Sequence, residues 1–236
     1  TDGTSLFVSD YNNHTIRKIT RPMWGQEAYI KASNNDADDQ FGYSVAIDGD
    51  TVAVGSPHED SNQTTITNGT TASSNNSNFR AGAVYVYKRT GTSWAQEAYI
   101  KASNNSAGDG FGGSVALDNS TLAVGASTED SNQTTITNDS STASSDNSSS
   151  ESGAVYVYRR TGTSWVQEAY LKAANNDAED KYGHGWKDDS VALDNGTLAV
   201  GSQFEDSNQN TITNGTSASS NNSNSDSGSV YVYSLK

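Results

Sequence analysis

Acidic residues gather just before an aromatic–glycine pair in similar segments of this 236-residue chain. The side chains concerned are Asp36, Asp38 and Asp39 in one segment and Asp177, Glu179 and Asp180 in another. Several carboxylates presented from one loop are typical calcium ligands. The pattern therefore raises the possibility of calcium sites, and the chain implies no other cofactor.

A middle segment of the same kind keeps only one of the three acidic residues. This is Asp109, which stands at the position of Asp39 and Asp180. An aspartate held at one turn position commonly caps the turn by accepting main-chain N–H groups. We favour turn capping over calcium binding and expect calcium to contribute little to stability.

A second acidic pattern, Glu-Asp-Ser-Asn, opens a long polar loop in each segment. The pairs are Glu59-Asp60, Glu129-Asp130 and Glu205-Asp206. They could complete a metal site from the loop side. We expect instead that they form a solvent-exposed acidic surface.

Catalytic residues do not recur in the pattern that an active site requires. The chain has no cysteine, and its three histidines, His14, His58 and His184, occupy unrelated positions in the similar segments. Paired glycosidase carboxylates are expected once, in one distinctive pocket, whereas the carboxylates here repeat. We predict no enzyme and no catalytic residues.

Composition excludes several classes of protein. The formal charge is −14, from 28 acidic residues against 14 Lys and Arg, which disfavours nucleic acid or an anionic membrane as a partner. The sequence has no apolar stretch near the length of a membrane-spanning helix, so we expect no membrane insertion. The abundance of Asn, Ser and Thr favours an extracellular or cell-surface location.

The chain consists of repeats. WGQEAYIKASNN (24–35) returns as WAQEAYIKASNN (94–105) and as WVQEAYLKAANN (165–176). The segment GAVYVYKRTGTSW (82–94) also returns at 153–165 and, shortened, at 228–236. Repeats of more than 40 residues indicate an array of small structural units.

Each repeat contains four strand patterns. SVAI and TVAV flank a hairpin turn, VYVY alternates with a period of two, and a Gly-containing turn leads into QEAYIKA. Four antiparallel strands per repeat predict the blades of an all-β propeller. We predict a partial blade with strands two to four at 1–35, full blades at 36–105 and 106–176, and a blade lacking its outer strand at 177–236.

The aromatic–glycine pairs followed by SVAL and LAVG resemble the FG-GAP repeat of integrin α-subunit propellers, and more closely its bacterial surface-protein versions. The pairs are Phe41-Gly42, Phe111-Gly112 and Tyr182-Gly183. The resemblance implies a non-catalytic adhesion or binding propeller, with these pairs packed between blades. LFVSDYNNHTIRKI (6–19) resembles an NHL propeller repeat.

The long loops are rich in Asn, Ser and Thr, and their TTIT or TIT cores repeat. We expect each loop to be ordered through the isoleucine and mobile afterwards. Candidate N-glycosylation sites with the Asn-x-Ser/Thr pattern include Asn62, Asn68, Asn132, Asn138 and Asn214.

We predict an extracellular binding or adhesion module whose partner is a protein or a glycan. Two alternatives remain: a structural subunit that assembles head-to-tail into a fibre, and a carbohydrate-binding lectin. The first and last blades each lack a strand, so the chain resembles a window cut from a longer protein. Alone, it should expose the strand edge at 230–233 and self-associate.

Overall fold

The computed structural model of the protein describes residues 5–10, 15–20, 25–138, 142–184 and 190–235, with the backbone alone for the first two ranges. The chain divides into two compact units, Thr1–Ile30 and Lys31–Lys236. All named elements of the described residues are β-strands. The prediction of an all-β fold is confirmed.

The first unit contains one antiparallel hairpin. Strand β1 (Ser5–Asp10) pairs with β2 (Thr15–Thr20), with Ser5 opposite Thr20. Residues 25–32 form no strand, so the prediction that this segment is the fourth strand of the first blade is wrong. In the later repeats the turn sequence RTGTS reverses VYVY into QEAYI, and no such turn sequence precedes residue 25.

The described residues of the second unit form three antiparallel sheets, one for each of the remaining repeats. The first has strand order β3-β4-β6-β7-β5, the second has β8-β9-β11-β12-β10, and the third has β13-β14-β15. The first sheet comprises β3 (Ser44–Asp48), β4 (Thr51–Ser56), β5 (Thr67–Asn68), β6 (Ala83–Thr90) and β7 (Ser93–Ile100). The second comprises β8 (Ser114–Asp118), β9 (Thr121–Ala126), β10 (Thr137–Asn138), β11 (Ala154–Thr161) and β12 (Ser164–Leu171). The third comprises β13 (Val191–Asp194), β14 (Thr197–Ser202) and β15 (Ser229–Ser234).

The four main strands of each full repeat are those that the alternating patterns predict, and they form the sheets of propeller blades. Their hairpins need a left-handed residue at the first turn position, and Gly49 and Asn119 supply it with φ of 54° and 53°. The innermost strand β8 packs beside β3 on one side and beside β13 on the other. In the described part of the second unit, these three sheets stand side by side and are not closed into a ring.

A short fifth strand extends each full blade, and the sequence analysis did not foresee it. Thr67 lies opposite Tyr99 and Asn68 opposite Ala98, while Thr137 and Asn138 repeat this pairing in the second blade. The TIT core of the polar loop thus covers the outer strand's edge, which would otherwise expose main-chain hydrogen-bonding groups. The corresponding residues 211–214 form no strand.

The core fills the spaces between neighbouring sheets. Val84 and Val86 of β6 belong to the same buried cluster as Val115 and Leu117 of β8. The aromatic rings of the aromatic–glycine pairs lie beside these contacts. Phe111 and Tyr182 are fully buried, each belonging to a sheet that follows another in the second unit.

Phe41 differs from the two equivalent aromatic residues because it is only half-buried. It contacts the Tyr85 ring edge-on at 5.3 Å, as Phe111 contacts Tyr156 at 5.2 Å. The difference follows from its place in the first sheet of the second unit, which has no earlier sheet of that unit against it. Phe41 is therefore less buried than the predicted packing of its pair between blades implies.

Candidate functional site

A buried carboxylate lies at the start of the polar loop in each full blade. Glu59 accepts hydrogen bonds from Lys101 Nζ at 2.7 Å, from the Tyr99 hydroxyl at 2.8 Å and from Asn34 Nδ2 at 3.0 Å. The Ser61 main-chain N–H donates to its second oxygen at 3.1 Å. Both side chains of the ion pair are almost entirely enclosed, with 1% of Glu59 and none of Lys101 exposed.

The same network recurs around Glu129. Lys172 Nζ donates to it at 2.8 Å, the Tyr170 hydroxyl at 2.9 Å and Asn104 Nδ2 at 2.9 Å. In the third blade Glu205 is also buried and accepts from Asn175 Nδ2 at 2.8 Å. Glu59 and Glu129 tie the start of the polar loop to the outer strand and to the Asn-Asn segment, whereas of these two Glu205 contacts only the Asn-Asn segment, because the third sheet has no outer strand among the described residues.

The expectation that the Glu-Asp pairs form a solvent-exposed acidic surface is wrong for the glutamates. The aspartates that follow them cap the returning end of the same loop: Asp60 accepts from the Arg80 N–H and Asp130 from the Glu151 N–H, both at 2.7 Å. The sequence contained a signal for the ion pair, since Glu-Asp-Ser-Asn is followed in both full repeats by QEAYIK or QEAYLK, which ends in the lysine. A charged side chain is costly to bury without an oppositely charged partner, so a buried glutamate that repeats predicts a lysine that repeats with it.

The turn before each aromatic–glycine pair is capped as the sequence analysis favoured. One Asp109 oxygen accepts the Ser106 N–H at 2.9 Å, and Asp39 and Asp180 accept equivalent N–H groups at 3.3 Å. Burial raises the pKa of Asp109 to about 8, and it raises the pKa of Asp39 to about 6 and that of Asp180 to about 7. Neighbouring carboxylates, including Glu129 for Asp109, add to the rise.

Replacing Asp109 with asparagine should make stability less dependent on pH. The native protein binds this proton more tightly than the unfolded chain, so its stabilising contribution is complete below about pH 4 and is lost as pH rises through about 8. Asparagine can still accept the Ser106 N–H without a buried charge. Each pKa unit corresponds to about 1.4 kcal/mol, so Asp109→Asn should be the more stable protein at pH 9 by at least that amount.

Urea denaturation of both proteins at pH 5, 7 and 9 measures this effect. Asp226→Asn is the matched control, because Asp226 is exposed and occupies a left-handed position that asparagine tolerates. Its pH profile should follow that of the parent. A parent whose stability increases from pH 5 to pH 9 would contradict the prediction.

The remaining residues of the calcium hypothesis are spread over the same turns. Asn76 Nδ2 donates to Asp36 at 3.0 Å, and Asn222 Nδ2 donates to Asp177 at 2.9 Å. Asp38 and Glu179 are exposed, with φ of 65° and 70°. Among the described residues, no three His, Asp or Glu side chains are grouped so that they could hold a metal ion.

The candidate glycosylation sites differ in how their side chains are engaged. All five of these asparagines are exposed to solvent: Asn62, Asn68, Asn132, Asn138 and Asn214. The Asn68 side chain accepts the Trp165 N–H at 2.8 Å and so bridges two blades, while Asn132 Nδ2 donates to Ser148 Oγ at 2.8 Å. Glycosylation at these positions stays a prediction.

A cleft of about 520 Å³ opens at the loop ends of the three blades. Its wall combines exposed aromatic rings with charged and imidazole groups. The lining residues that carry these groups are Tyr43, His58, Phe79, Arg80, Asp130, Glu151 and His184. Tyr43 is 49% exposed and Phe79 63% exposed, and the Arg80 guanidinium lies 4.8 Å from the centre of the Phe79 ring.

Several positions at which the otherwise near-identical repeats differ in chemistry lie on the cleft wall. The position after the aromatic–glycine pair is Tyr43, Gly113 or His184, and all three residues line the cleft. Three further positions on its wall also change from repeat to repeat. They are Pro57/Ser127/Gln203, Phe79/Ser150/Ser225 and Arg80/Glu151/Asp226, of which the first two residues of each set line the cleft.

The backbone at one of these varied positions is strained in every repeat. Arg80, Glu151 and Asp226 have φ of 52°, 51° and 54°, a left-handed conformation that glycine adopts more easily. A charged side chain is thus held at the rim of the loops in spite of its conformational cost. Retained strain of this kind is common at functional surfaces.

Two histidines that are unrelated in the repeat pattern come together at this cleft, which sequence reasoning missed. Burial lowers the pKa of His58, with Arg80 adding to the effect, and burial lowers the pKa of His184, with Lys181 adding to it. Both therefore favour the neutral form near pH 7. His14 lies outside the described residues.

Comparison with known families identifies the repeats. The family model described as FG-GAP repeat matches residues 24–87 and 94–158, more than half of the chain. The protein belongs to the FG-GAP repeat family. No curated protein matches the chain.

Family membership agrees with the resemblance drawn from the aromatic–glycine pairs. The match does not extend to residues 6–19, so the likeness of that hairpin to an NHL repeat stays a prediction, as does the bacterial surface-protein type. FG-GAP repeats are typical of extracellular and surface proteins and generally form non-catalytic binding propellers. Within the described residues, no helix has the length and apolar character needed to cross a membrane.

Proposed function

We propose that this FG-GAP protein is an extracellular, non-catalytic binding or adhesion module that takes its ligand in the cleft. One observation carries the proposal: several positions at which its repeats differ in chemistry lie together on this cleft. Positions needed for blade packing stay alike because every interface between blades is alike. Differences that collect at one place indicate a surface shaped for something other than packing.

The chemistry of the cleft favours a protein ligand. Tyr43 and Phe79 are exposed aromatic groups, and aromatic side chains together with arginine are enriched at the centres of protein interfaces. Arg80 stands beside Phe79 and Glu151 lines the same cleft, so the wall carries both signs of charge. Charges of both signs give a partner fixed points for orientation.

A lectin is the second candidate, because an exposed tyrosine in a cleft can stack against a sugar ring. The tryptophans add little to this candidate. Trp165 is 1% exposed, and Trp94 is half-buried with the Arg89 guanidinium 5.5 Å from its ring. Trp24 and Trp186 lie outside the described residues.

Binding to immobilised extracellular proteins and to a printed glycan panel tests the proposal. For the partner found, Phe79→Ala combined with Tyr43→Ala should weaken binding at least tenfold, because two exposed anchor residues are removed. The melting temperature should stay within about 2 °C of the parent, since exposed substitutions cost little stability.

Tyr29→Ala is the matched control, because Tyr29 is 81% exposed and does not line the cleft. It should bind like the parent. Undiminished binding by the double variant would overturn the assignment of the cleft. Binding confined to glycans would favour the lectin over the protein ligand.

A further inference from the structure

We infer that this protein docks head-to-tail with a second copy of itself, through two different surfaces of its second unit. The donor end comprises residues 38–47, from the turn before Phe41 to strand β3. The acceptor end comprises residues 201 and 225–232, at the far side of the third blade. The basis is an interface that the chain already forms twice between its own blades.

Three main-chain hydrogen bonds join each pair of adjacent blades. The turn before the aromatic–glycine pair donates N–H groups to the returning end of the preceding blade's polar loop. Between the first and second blades they run from Gly108 to Phe79 at 2.9 Å, from Gly110 to Arg80 at 3.1 Å and from Phe111 to Ala81 at 3.1 Å. Between the second and third they run from Glu179 to Ser150 at 2.8 Å, from Lys181 to Glu151 at 3.0 Å and from Tyr182 to Ser152 at 3.0 Å.

The two ends of the second unit carry the separate halves of this same pattern. The equivalent donors are the N–H groups of Asp38, Gln40 and Phe41, and the equivalent acceptors are the carbonyls of residues 225–227. Within the described residues none of these six groups has a main-chain partner. Three donors at one end therefore match three acceptors at the other.

Glycines at the blade interface show the same complementarity. A Cβ on Gly125 would lie 2.5 Å from the carbonyl oxygen of Gly183 in the next blade, so no side chain fits there. At the equivalent Gly201, the nearest atom to such a Cβ is Ser190 Cβ at 3.6 Å. The acceptor end thus keeps a space for the backbone of an incoming aromatic–glycine pair.

The donor end has the matching glycine. A Cβ on Gly112 would meet Ala83 O at 2.5 Å, and one on Gly183 would meet Val155 Cγ2 at 2.9 Å, in each case in the preceding blade. A Cβ on Gly42 would meet none of the described residues within 4 Å, although its φ of 94° is close to the 91° of Gly112. The Gly42 backbone is therefore already in the conformation that the interface uses.

Apolar side chains at both ends are exposed where their equivalents are buried. Val230 and Val232 of β15 are 69% and 68% exposed, whereas the equivalent Val84 and Val86 are fully buried. At the donor end Val45 and Ile47 of β3 are 53% and 65% exposed, whereas their equivalents in β8 are 2% and 8% exposed. Docking would bring these two apolar strips together, as in the core between the blades.

The two surfaces differ from each other, so the contact is heterologous. Each docked copy still offers one free donor end and one free acceptor end, and such contacts close into rings or continue as filaments. The donor end shares Tyr43 with the lining of the ligand cleft, but the inference does not depend on the ligand. It supplies a physical basis for the fibre alternative.

Light scattering after size-exclusion chromatography, over a hundredfold range of concentration, tests the inference on the 236-residue chain. The mass should rise above that of one chain as concentration increases. A chain that is monomeric at every concentration would overturn the inference. Rings and filaments would both support it, since both use the same contact.

Two variants, each of which blocks only one of the two ends, make the test specific. Gly201→Leu fills the space at the acceptor end, where the backbone leaves room for a Cβ, and keeps the donor end intact. Gly42→Asn blocks the donor end, and asparagine is among the residues that best tolerate positive φ. Each variant alone should be monomeric at the concentrations where the parent assembles.

An equimolar mixture of the two variants should give a dimer of one copy of each and nothing larger. Each dimer contains one working contact, and its outer ends are both blocked. Circular dichroism and melting verify that the variants are folded. Gly25→Ala, at a glycine without positive φ and with open space around it, is the control that should assemble like the parent.

If Gly42→Asn does not fold, Val230→Ser combined with Val232→Ser replaces it as a second test of assembly. Both valines are exposed in a single copy, so this variant should fold and should assemble at least tenfold more weakly. Assembly that persists in Gly201→Leu and in the double valine variant would overturn the inference. A mixture of Gly201→Leu and Gly42→Asn that grows beyond dimers would overturn it as well.

Discussion

Replacing Phe111 with alanine should lower the free energy of unfolding by roughly 3–5 kcal/mol, as aromatic truncations in tight cores do. The ring is fully buried and meets Tyr156 and Tyr158 edge-on, with ring centres 5.2 and 6.1 Å apart. Its backbone is also bonded to the preceding blade through Ala81, so the neighbours cannot easily close the space. Urea denaturation followed by circular dichroism measures the loss.

Phe41→Ala is the matched comparison, since Phe41 occupies the same repeat position. It meets Tyr85 and Tyr87 at 5.3 and 6.2 Å, almost the same ring geometry, but it is only half-buried. Its loss should be about half that of Phe111→Ala or less, because less apolar surface returns to water. Equal losses for the two variants would contradict the role assigned to the neighbouring blade, and a negligible loss at Phe111 would contradict the blade assignment itself.

The strands of the full blades could be predicted from sequence because their patterns are local. SVAL, TLAV and VYVY each show which face is apolar, and Asp-Asn or Asp-Gly fixes the turn between the first two. The number of repeats then predicted the number of sheets. The same reasoning failed for residues 25–32, because QEAYI is a strand only when VYVY precedes it across a tight turn.

The fifth strand and the burial of Glu59 could not be predicted in this way. Both depend on where a polar loop of more than 20 residues returns to the sheet, and composition suggests only that such a loop is solvated. The cleft was also missed, because Tyr43 and Phe79 lie on separate loops of one repeat and His184 lies in another repeat. A comparison of which repeat positions change in chemistry would have included these residues among its candidates without a structure.

Replacing Lys101 with methionine should also destabilise the protein by roughly 3–5 kcal/mol, because it leaves a buried carboxylate without its counter-ion. Lys101 Nζ lies 2.7 Å from Glu59, and neither side chain reaches water to a useful extent. Burial lowers the pKa of Lys101, while Glu59 opposes this effect. Methionine has a similar volume, so the loss would reflect the charge and its hydrogen bond rather than a cavity.

A double-mutant cycle separates these contributions. Glu59→Gln combined with Lys101→Met removes both charges. The single amide oxygen can accept the Ser61 N–H, which bonds to one Glu59 oxygen at 3.1 Å, and the amide NH2 can donate to the Tyr99 hydroxyl, which bonds to the other Glu59 oxygen at 2.8 Å. The double variant should therefore be more stable than Lys101→Met alone.

Lys88→Met is the control, because Lys88 is only partly buried and donates to Thr51 Oγ1 at 3.1 Å rather than to a buried carboxylate. It should cost less than about 1 kcal/mol. A Lys101→Met variant as stable as this control would mean that Glu59 is held by its neutral donors alone, and that the ion pair does not fix the polar loop to the blade.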